Sequence, residues 1–143
     1  MNTVLIITAI ALGAPALKDK PPAKASIVGK WTVESRFNSG TPSEDTNVWI
    51  FSPDGSGEIR SPVEHNVISK LTYSLGADGQ SNAIDIWENQ PAGQPANRPG
   101  IYRIEKDTLT LSFVTENMPR PKSFDTSKVA GYFVMVFKRV PEK

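Results

Sequence analysis

The sequence contains no cysteine and a single histidine, and these shortages exclude several kinds of reactive and metal-binding site. Without cysteine the chain has no disulfide, no thiolate metal ligand and no cysteine nucleophile. One histidine, His65, is too few for most zinc sites, which use several histidine or cysteine ligands. We therefore expect no metal site and no cofactor.

An excess of charge of either sign is also missing, because 16 basic residues are balanced by 15 acidic residues among 143. A nucleic-acid-binding protein normally carries a clear basic surplus, so we expect no nucleic-acid partner. The length fits one domain. Twelve prolines and ten glycines divide the chain into short segments, which is typical of strands joined by turns.

The N-terminal segment differs in composition from the rest of the chain. Residues 4–12 are almost entirely apolar, a run too short to span a bilayer but suited to the core of an export signal. Two small-x-small sites follow, ending at Ala16 and Ala25. No lysine or arginine precedes the apolar run, and a buried first strand is the alternative interpretation.

These features predict a signal peptide over residues 1–16, with residue 25 as the alternative end. A charged, proline-rich linker over 17–26 and a single domain over 27–141 follow. The prediction places the mature protein in the periplasm or outside the cell, with no membrane span left after cleavage.

Segments of alternating apolar and polar residues succeed one another along the domain, and none shows convincing helical periodicity. Alternation with a period of two is typical of half-buried β-strands. Eight strands are predicted, at residues 31–37, 47–51, 58–60, 66–75, 83–87, 100–105, 108–115 and 129–140. This all-β pattern favours an eight-stranded antiparallel up-and-down barrel, with a β-sandwich as the alternative.

Alternation also predicts which side chains fill the barrel. If Trp31 faces inward, Val33, Ser35 and Phe37 do so too. The other predicted inward residues are Val67, Leu71, Tyr73, Leu109, Leu111, Phe113, Phe133, Met135, Phe137 and Arg139. These bulky groups indicate a largely filled interior. Asp85 is expected to face water, and Trp49 and Trp87 are candidates for the outer surface, where they would indicate a partner surface.

The two ends of the domain resemble the lipocalin pattern. Gly29-Lys30-Trp31 opens the first strand and Arg139 lies on the last. The resemblance implies that Arg139 packs over Trp31 and that these residues close the base of a lipocalin-like barrel.

The whole domain is also similar to a group of small lipocalin-like domains of unknown function that are abundant in planctomycetes. The matching segments are residues 29–33 with Ser35, 84–86, 100–104, 107–111, 120–124 and 136–139. His65, the turn at 43–45 and the loop at 89–99 match nothing in that group. The resemblance implies a fold and leaves the activity open.

Two motifs resemble a metal-binding or a catalytic site in part, but a structural role explains each of them better. Residues 54–59 share part of a calcium-binding loop, but Ser52 and Val63 occupy its first and last ligand positions, which favours a hairpin turn. His65 beside Glu64 lacks a nucleophile or a second titrating group, which favours an exposed position. We therefore predict no catalytic residue and no enzymatic activity.

The candidate ligand-binding residues are Tyr73, Tyr102, Arg103, Arg120 and Phe124. Arg120, together with Arg98 and Arg103, would form an anion-binding lip, because guanidinium groups suit carboxylates and phosphates. The favoured alternative is that Phe124 plugs the barrel mouth and Arg120 binds loop carbonyls.

Two functions remain open at this point. One is the binding of a small apolar or amphipathic molecule in a shallow barrel mouth, an expectation based on fold analogy. The other is a non-catalytic interaction or scaffold module of the cell envelope with a filled barrel. A cavity of at least about 300 Å³ would separate them. Nothing in the sequence indicates an oligomeric state.

Overall fold

The computed structural model describes residues 26–89, 96–114, 118–125 and 130–142. The predicted signal peptide and nearly all of the predicted linker lie outside these residues. The described secondary structure is β, apart from one 3₁₀ turn at Ala77–Gly79. Among the described residues, no helix is both long and apolar enough to cross a membrane.

The described residues form one continuous antiparallel sheet. Its strands are β1 (Gly29–Asn38), β2 (Thr41–Ser43), β3 (Val48–Phe51), β4 (Ser56–Arg60), β5 (Val67–Leu75), β6 (Ala83–Glu88), β7 (Ala96–Glu105), β8 (Thr108–Val114) and β9 (Tyr132–Arg139). From β3 to β9 each strand pairs with the next along the chain, and β9 pairs with β1. The sheet is therefore closed.

The short β2 does not add a ninth position to the barrel. β2 pairs with the end of β1, at residues 36–38, and β3 pairs with its beginning, at residues 29–32. Both lie on the same side of β1, so they act as two parts of one strand. The predicted closed barrel of eight antiparallel strands is confirmed and is consistent with a lipocalin-like fold, and closure excludes the sandwich with separated ends.

A β-bulge in β1 changes which side chains face the interior. Val33 pairs with Phe137, but the next pair is Ser35 with Val136, so one residue of β1 is skipped. An extra residue in one strand inverts the alternation beyond it. The predicted inward positions of Ser35 and Phe37 are therefore wrong, and Arg36 faces inward opposite Met135 instead.

A second irregularity lies between β4 and β5. Ile59 pairs with Ser69, whereas Arg60 pairs with Val67. The skipped residue turns Val67 outward, and its side chain is exposed rather than in the core as predicted. Trp49, by contrast, is a core residue with only 7% of its surface exposed, so its predicted outer position is wrong as well.

The base of the barrel, where β1 begins and β9 ends, is densely packed. Trp31 is fully buried, and its indole N–H donates to the Ile27 carbonyl at 2.8 Å. The Arg139 guanidinium lies 4.1 Å from the centre of the Trp31 ring system. It donates to the Ser26 and Val28 carbonyls at 2.6 and 3.0 Å, so this end of the barrel is held by satisfied donors.

Gly29 makes the stacking of Arg139 possible. Its φ of 137° lies in the region that disfavours other residues. A Cβ atom at this position would lie 2.7 Å from Arg139 Nη1. A side chain here would therefore displace the guanidinium that covers Trp31.

Residues 118–125, called the strap below, are anchored to the outer face of β6 and β7. Arg120 in the strap donates to the Ile84 and Gly100 carbonyls and pairs with Asp85 at 3.0 Å. The expectation that Asp85 faces water is therefore wrong, since a guanidinium covers it and it is only 9% exposed. A buried carboxylate requires such a partner.

Candidate functional site

A pocket of about 220 Å³ opens at the barrel mouth, the end opposite the base. Apolar side chains form much of its wall, among them Trp49, Ile86, Phe113 and Met135. Four charged side chains also line it, namely Arg36, Asp45, Glu88 and Arg98. The lining of the pocket is therefore part apolar and part charged.

The charged residues form two ion pairs. Arg36 Nη1 lies 3.0 Å from Asp45 Oδ2, and the Asp45 side chain is only 6% exposed. Arg98 Nε lies 3.4 Å from Glu88 Oε2, close enough for an ion pair but without hydrogen-bond geometry. The bulge in β1 supplies the first arginine, because only the inverted alternation turns Arg36 into the barrel.

Both carboxylates are further fixed by neutral donors. Asp45 Oδ1 accepts the backbone N–H of Asn47 at 2.9 Å. Glu88 Oε1 accepts the Ser69 hydroxyl at 3.3 Å. These contacts hold the acidic groups against their arginines and restrict their freedom to turn into the pocket.

Each arginine also lies over an aromatic ring. The guanidinium of Arg36 is 5.6 Å from the centre of the Phe133 ring, and that of Arg98 is 6.0 Å from the Phe113 ring. The two phenylalanines stack on each other, with centroids 5.3 Å apart and planes inclined by 16°. One aromatic stack therefore supports both arginines, at distances where a cation–π attraction still acts.

Three N–H groups of the pocket residues remain without an acceptor. Arg36 Nε, Arg98 Nε and Trp49 Nε1 are buried and have no hydrogen-bond partner among the described residues. An unpaired buried polar group costs roughly 1–3 kcal/mol, so its presence calls for an explanation. All three are donors, and the surrounding protein covers each of them.

Two of the candidate ligand residues from the sequence lie inside the barrel but nearer its base. The Tyr73 hydroxyl donates to the Ser52 carbonyl at 2.6 Å, and its ring packs edge-on against Phe51. Burial, and secondarily the charge of Asp54, raises the pKa of Tyr73. Tyr102 is half-buried against the core beside Leu111. Neither tyrosine lines the mouth pocket.

The other three candidates, Arg103, Arg120 and Phe124, lie on the outer face of the barrel. Arg103 lies 4.6 Å over the Phe124 ring and pairs with Glu105 at 2.7 Å. Phe124 therefore packs against an outward arginine of β7, and the alternative that it plugs the mouth is wrong. Arg120 binds backbone carbonyls, although those of β6 and β7 rather than of its own loop.

The two motifs interpreted as structural in the sequence are turns. Asp54 Oδ1 accepts the Ser56 hydroxyl and backbone N–H, and these hydrogen bonds lower the pKa of Asp54. His65 is exposed in a turn at φ 61°, and its carbonyl accepts a hydrogen bond from Arg60 Nη1. Within the part of the chain that the structure describes, no group of three acidic or histidine side chains is placed to hold a metal.

Sequence reasoning missed most of the charged residues of the pocket. None of the sequence motifs includes Arg36, Asp45 or Glu88. The sequence groups Arg98 with two arginines that the structure places on the other side of the barrel wall. The spacing of Arg36 gives no usable signal either, because alternation alone assigns it to the outer face. A bulge cannot be inferred before the pairing partner is known.

Comparison with models of known protein families gives no match for this chain, and no curated protein matches it either. The fold and the mouth pocket are therefore the observations from which a function is argued.

Proposed function

We propose that this protein binds a small amphipathic molecule in the pocket at the barrel mouth and catalyses no reaction. The observation that carries the proposal is the pocket itself, whose lining joins apolar side chains to polar and charged ones. A ligand with an apolar body and a polar end complements both features.

The size of the pocket restricts the ligand. Its volume of about 220 Å³ is smaller than the roughly 300 Å³ that would separate ligand binding from the scaffold alternative, so the volume alone does not decide between them and any ligand must be small. An apolar cavity of about 150 Å³ takes up benzene. The pocket therefore suits a single ring or a short chain that carries one small polar group.

Catalysis is not part of the proposal, for the reasons that the sequence already provides. The chain has no thiol, and its one histidine is not among the residues that line the pocket. A nucleophile with an adjacent base is the usual requirement for hydrolytic chemistry. We expect esterase, phosphatase and glycosidase assays on the purified protein to show no turnover.

We also propose that the protein is a member of the lipocalin-like group that its sequence resembles and acts after export. The closed barrel and the stacking of Arg139 on Trp31 support the first point, and the apolar run at residues 4–12 supports the second. N-terminal sequencing of protein from its native host should begin at Leu17 or Ser26. An intact Met1 would contradict export.

Native mass spectrometry of protein purified from its own host tests the binding proposal. We expect a retained small molecule in the wild type and its loss in Ser69→Phe, which places a ring in the pocket. Thr72→Phe is the matched control, because it adds the same bulk to the exposed side of β5. A wild-type protein without any retained molecule, or one retained equally by both variants, would favour the scaffold alternative.

A further inference from the structure

One apolar side chain of the pocket lining, that of Ile68, lies in solvent, and this position specifies the shape of the ligand. We infer that the ligand fills the pocket with a small ring or chain and carries a short alkyl substituent that leaves the pocket over Ile68. Ile68 is then a ligand-contacting residue that selects for the substituent. The inference rests on the proposed function and adds to it the class of molecule that the pocket takes.

The apolar lining of the pocket divides into a buried part and an exposed part. Ile68 lines the pocket and is 55% exposed. The other large apolar side chains of the lining are at most 7% exposed, and they are Trp49, Ile59, Ile86, Phe113 and Met135. The buried residues therefore form the inner part of the pocket, and Ile68 lies where the pocket meets solvent.

The bulge between β4 and β5 brings Ile68 to this position. Ile59 pairs with Ser69 and Arg60 pairs with Val67, so Ile68 is the extra residue of β5. Consecutive residues of a regular strand face opposite sides of the sheet, yet Ile68 and Ser69 both line the pocket. Bulges redirect side chains in this way, often next to functional sites.

Exposure of an isoleucine is not a general property of the middle of β5. The next three exposed positions along the strand carry polar side chains, those of Lys70, Thr72 and Ser74. Water solvates these groups well, whereas the exposed surface of Ile68 gains free energy only when another apolar group covers it. A ligand in the pocket is adjacent to that surface, because Ile68 is part of the lining.

The volume of the pocket determines how much of a ligand reaches the opening. A cavity of about 150 Å³ holds the six carbons of benzene, so about 220 Å³ holds about nine non-hydrogen atoms. Benzamide is of about this size. Carbon atoms added to such a molecule extend past the opening, where Ile68 provides an apolar contact.

A series of 4-alkylbenzamides tests the inference, with unbranched substituents from methyl to butyl and benzamide as the reference. Binding to the full chain is measured by NMR chemical-shift titration at neutral pH. Each added carbon should lower the Kd by about two- to fourfold, because apolar surface of both the substituent and Ile68 leaves water. We therefore expect the butyl compound to bind at least about tenfold more tightly than benzamide.

Variants at two neighbouring positions locate the contact. Ile68→Ser should change the Kd of benzamide by less than about threefold and reduce the gain from the butyl group to less than about threefold. Ile68→Leu keeps an apolar side chain and should retain the gain. Val67→Ser is the matched control and should retain it too, because Val67 is an exposed apolar residue of the same strand that does not line the pocket.

The possible failures of the inference and of the proposed function can be told apart. If benzamide binds but the butyl group gives no gain, or gives the same gain in Ile68→Ser, the inference is wrong and the proposed function stands. An equal loss of the gain in Val67→Ser assigns the effect to the bulge and also overturns the role of Ile68.

If no compound of the series binds, the inference is overturned as well, and the molecule retained in native mass spectrometry decides the proposed function separately. Thermal unfolding of each variant confirms that a loss of binding does not reflect a loss of fold.

Discussion

The base and the mouth of the barrel both contain tryptophan and arginine, but the N–H groups of these residues differ in whether they are hydrogen-bonded. At the base, the Trp31 indole N–H and both terminal nitrogens of Arg139 donate to backbone carbonyls. At the mouth, the Trp49 indole N–H and the Nε atoms of Arg36 and Arg98 have no acceptor among the described residues. At both ends an arginine lies over an aromatic ring. The ends differ in that the N–H groups at the base are hydrogen-bonded, whereas three N–H groups at the mouth have no acceptor among the described residues.

This contrast separates stability from function. Satisfied donors around a fully buried tryptophan stabilise the fold, since burial and hydrogen bonding act together there. Unsatisfied buried donors reduce stability, and they belong to residues that line the pocket in which we propose that a ligand binds. We therefore expect substitutions at the base to affect unfolding and substitutions at the mouth to affect binding.

The largest effect is expected for truncation of the base tryptophan. Trp31→Ala should lower the free energy of unfolding by about 3–5 kcal/mol, because it leaves a cavity in a fully packed region. Urea unfolding measures this loss. The same substitution at Trp87, which lies on the outer face and is only partly buried, is the control and should cost less. Equal losses at the two positions would contradict the assignment of Trp31 to the structural base.

Gly29→Ala should have the next largest effect, about 1–3 kcal/mol, because it combines an unfavourable φ with a clash against Arg139. Gly76→Ala is a matched control. Its φ of 79° is also positive, but an added Cβ would meet nothing within 4 Å. The difference between the two urea midpoints reports the clash together with the less favourable φ of Gly29. If the midpoints fall equally, the guanidinium does not need the space that Gly29 leaves.

A double-mutant cycle measures the contact between the first and last strands. Arg139→Ala should lower the urea midpoint more than Lys138→Ala, an exposed neighbour on β9. Combined with Trp31→Phe, it should give a coupling energy of about 0.5–2 kcal/mol, the range of a cation–π contact. A coupling indistinguishable from zero would mean that the stacking at 4.1 Å contributes nothing.

The smallest effect is expected away from both ends. Ser112 faces outward on β8, yet it is fully buried, and its hydroxyl has no hydrogen-bond partner in the described part of the chain. Ser112→Ala should therefore leave stability unchanged or raise it by up to about 1 kcal/mol, because an unsatisfied hydroxyl is removed. Thermal unfolding measures this change. A loss above about 1 kcal/mol would show that the hydroxyl has a partner.

The sequence permits prediction of the base much more readily than of the mouth. Gly29, Trp31 and Arg139 lie at the ends of strands whose alternation is regular, so barrel closure alone brings them together. The strands themselves can be predicted because one face of each is buried, which makes apolar and polar residues alternate along the sequence. Local pattern and global fold agree at this end.

The mouth depends on departures from the pattern. Arg36 enters the pocket only because a bulge forms where β1 meets β9, a pairing of residues about a hundred positions apart. Arg98 lies in a segment rich in proline and glycine that was interpreted as a loop, whereas β7 begins at Ala96. Pro99 fits there because, among the described residues, this part of β7 has pairing partners on β6 alone, and an edge position tolerates a missing N–H.

The most direct test of the contrast between the two ends is a single NMR titration. The three indole N–H signals of the ¹⁵N-labelled protein are recorded as benzamide, a single ring with one small polar group, is added, and single Trp→Phe variants assign them. We predict that the Trp49 signal shifts, because its side chain lines the pocket, while the Trp31 signal, whose N–H donates to the Ile27 carbonyl at the base, stays in place. A shift of Trp31 without one of Trp49 would contradict the account.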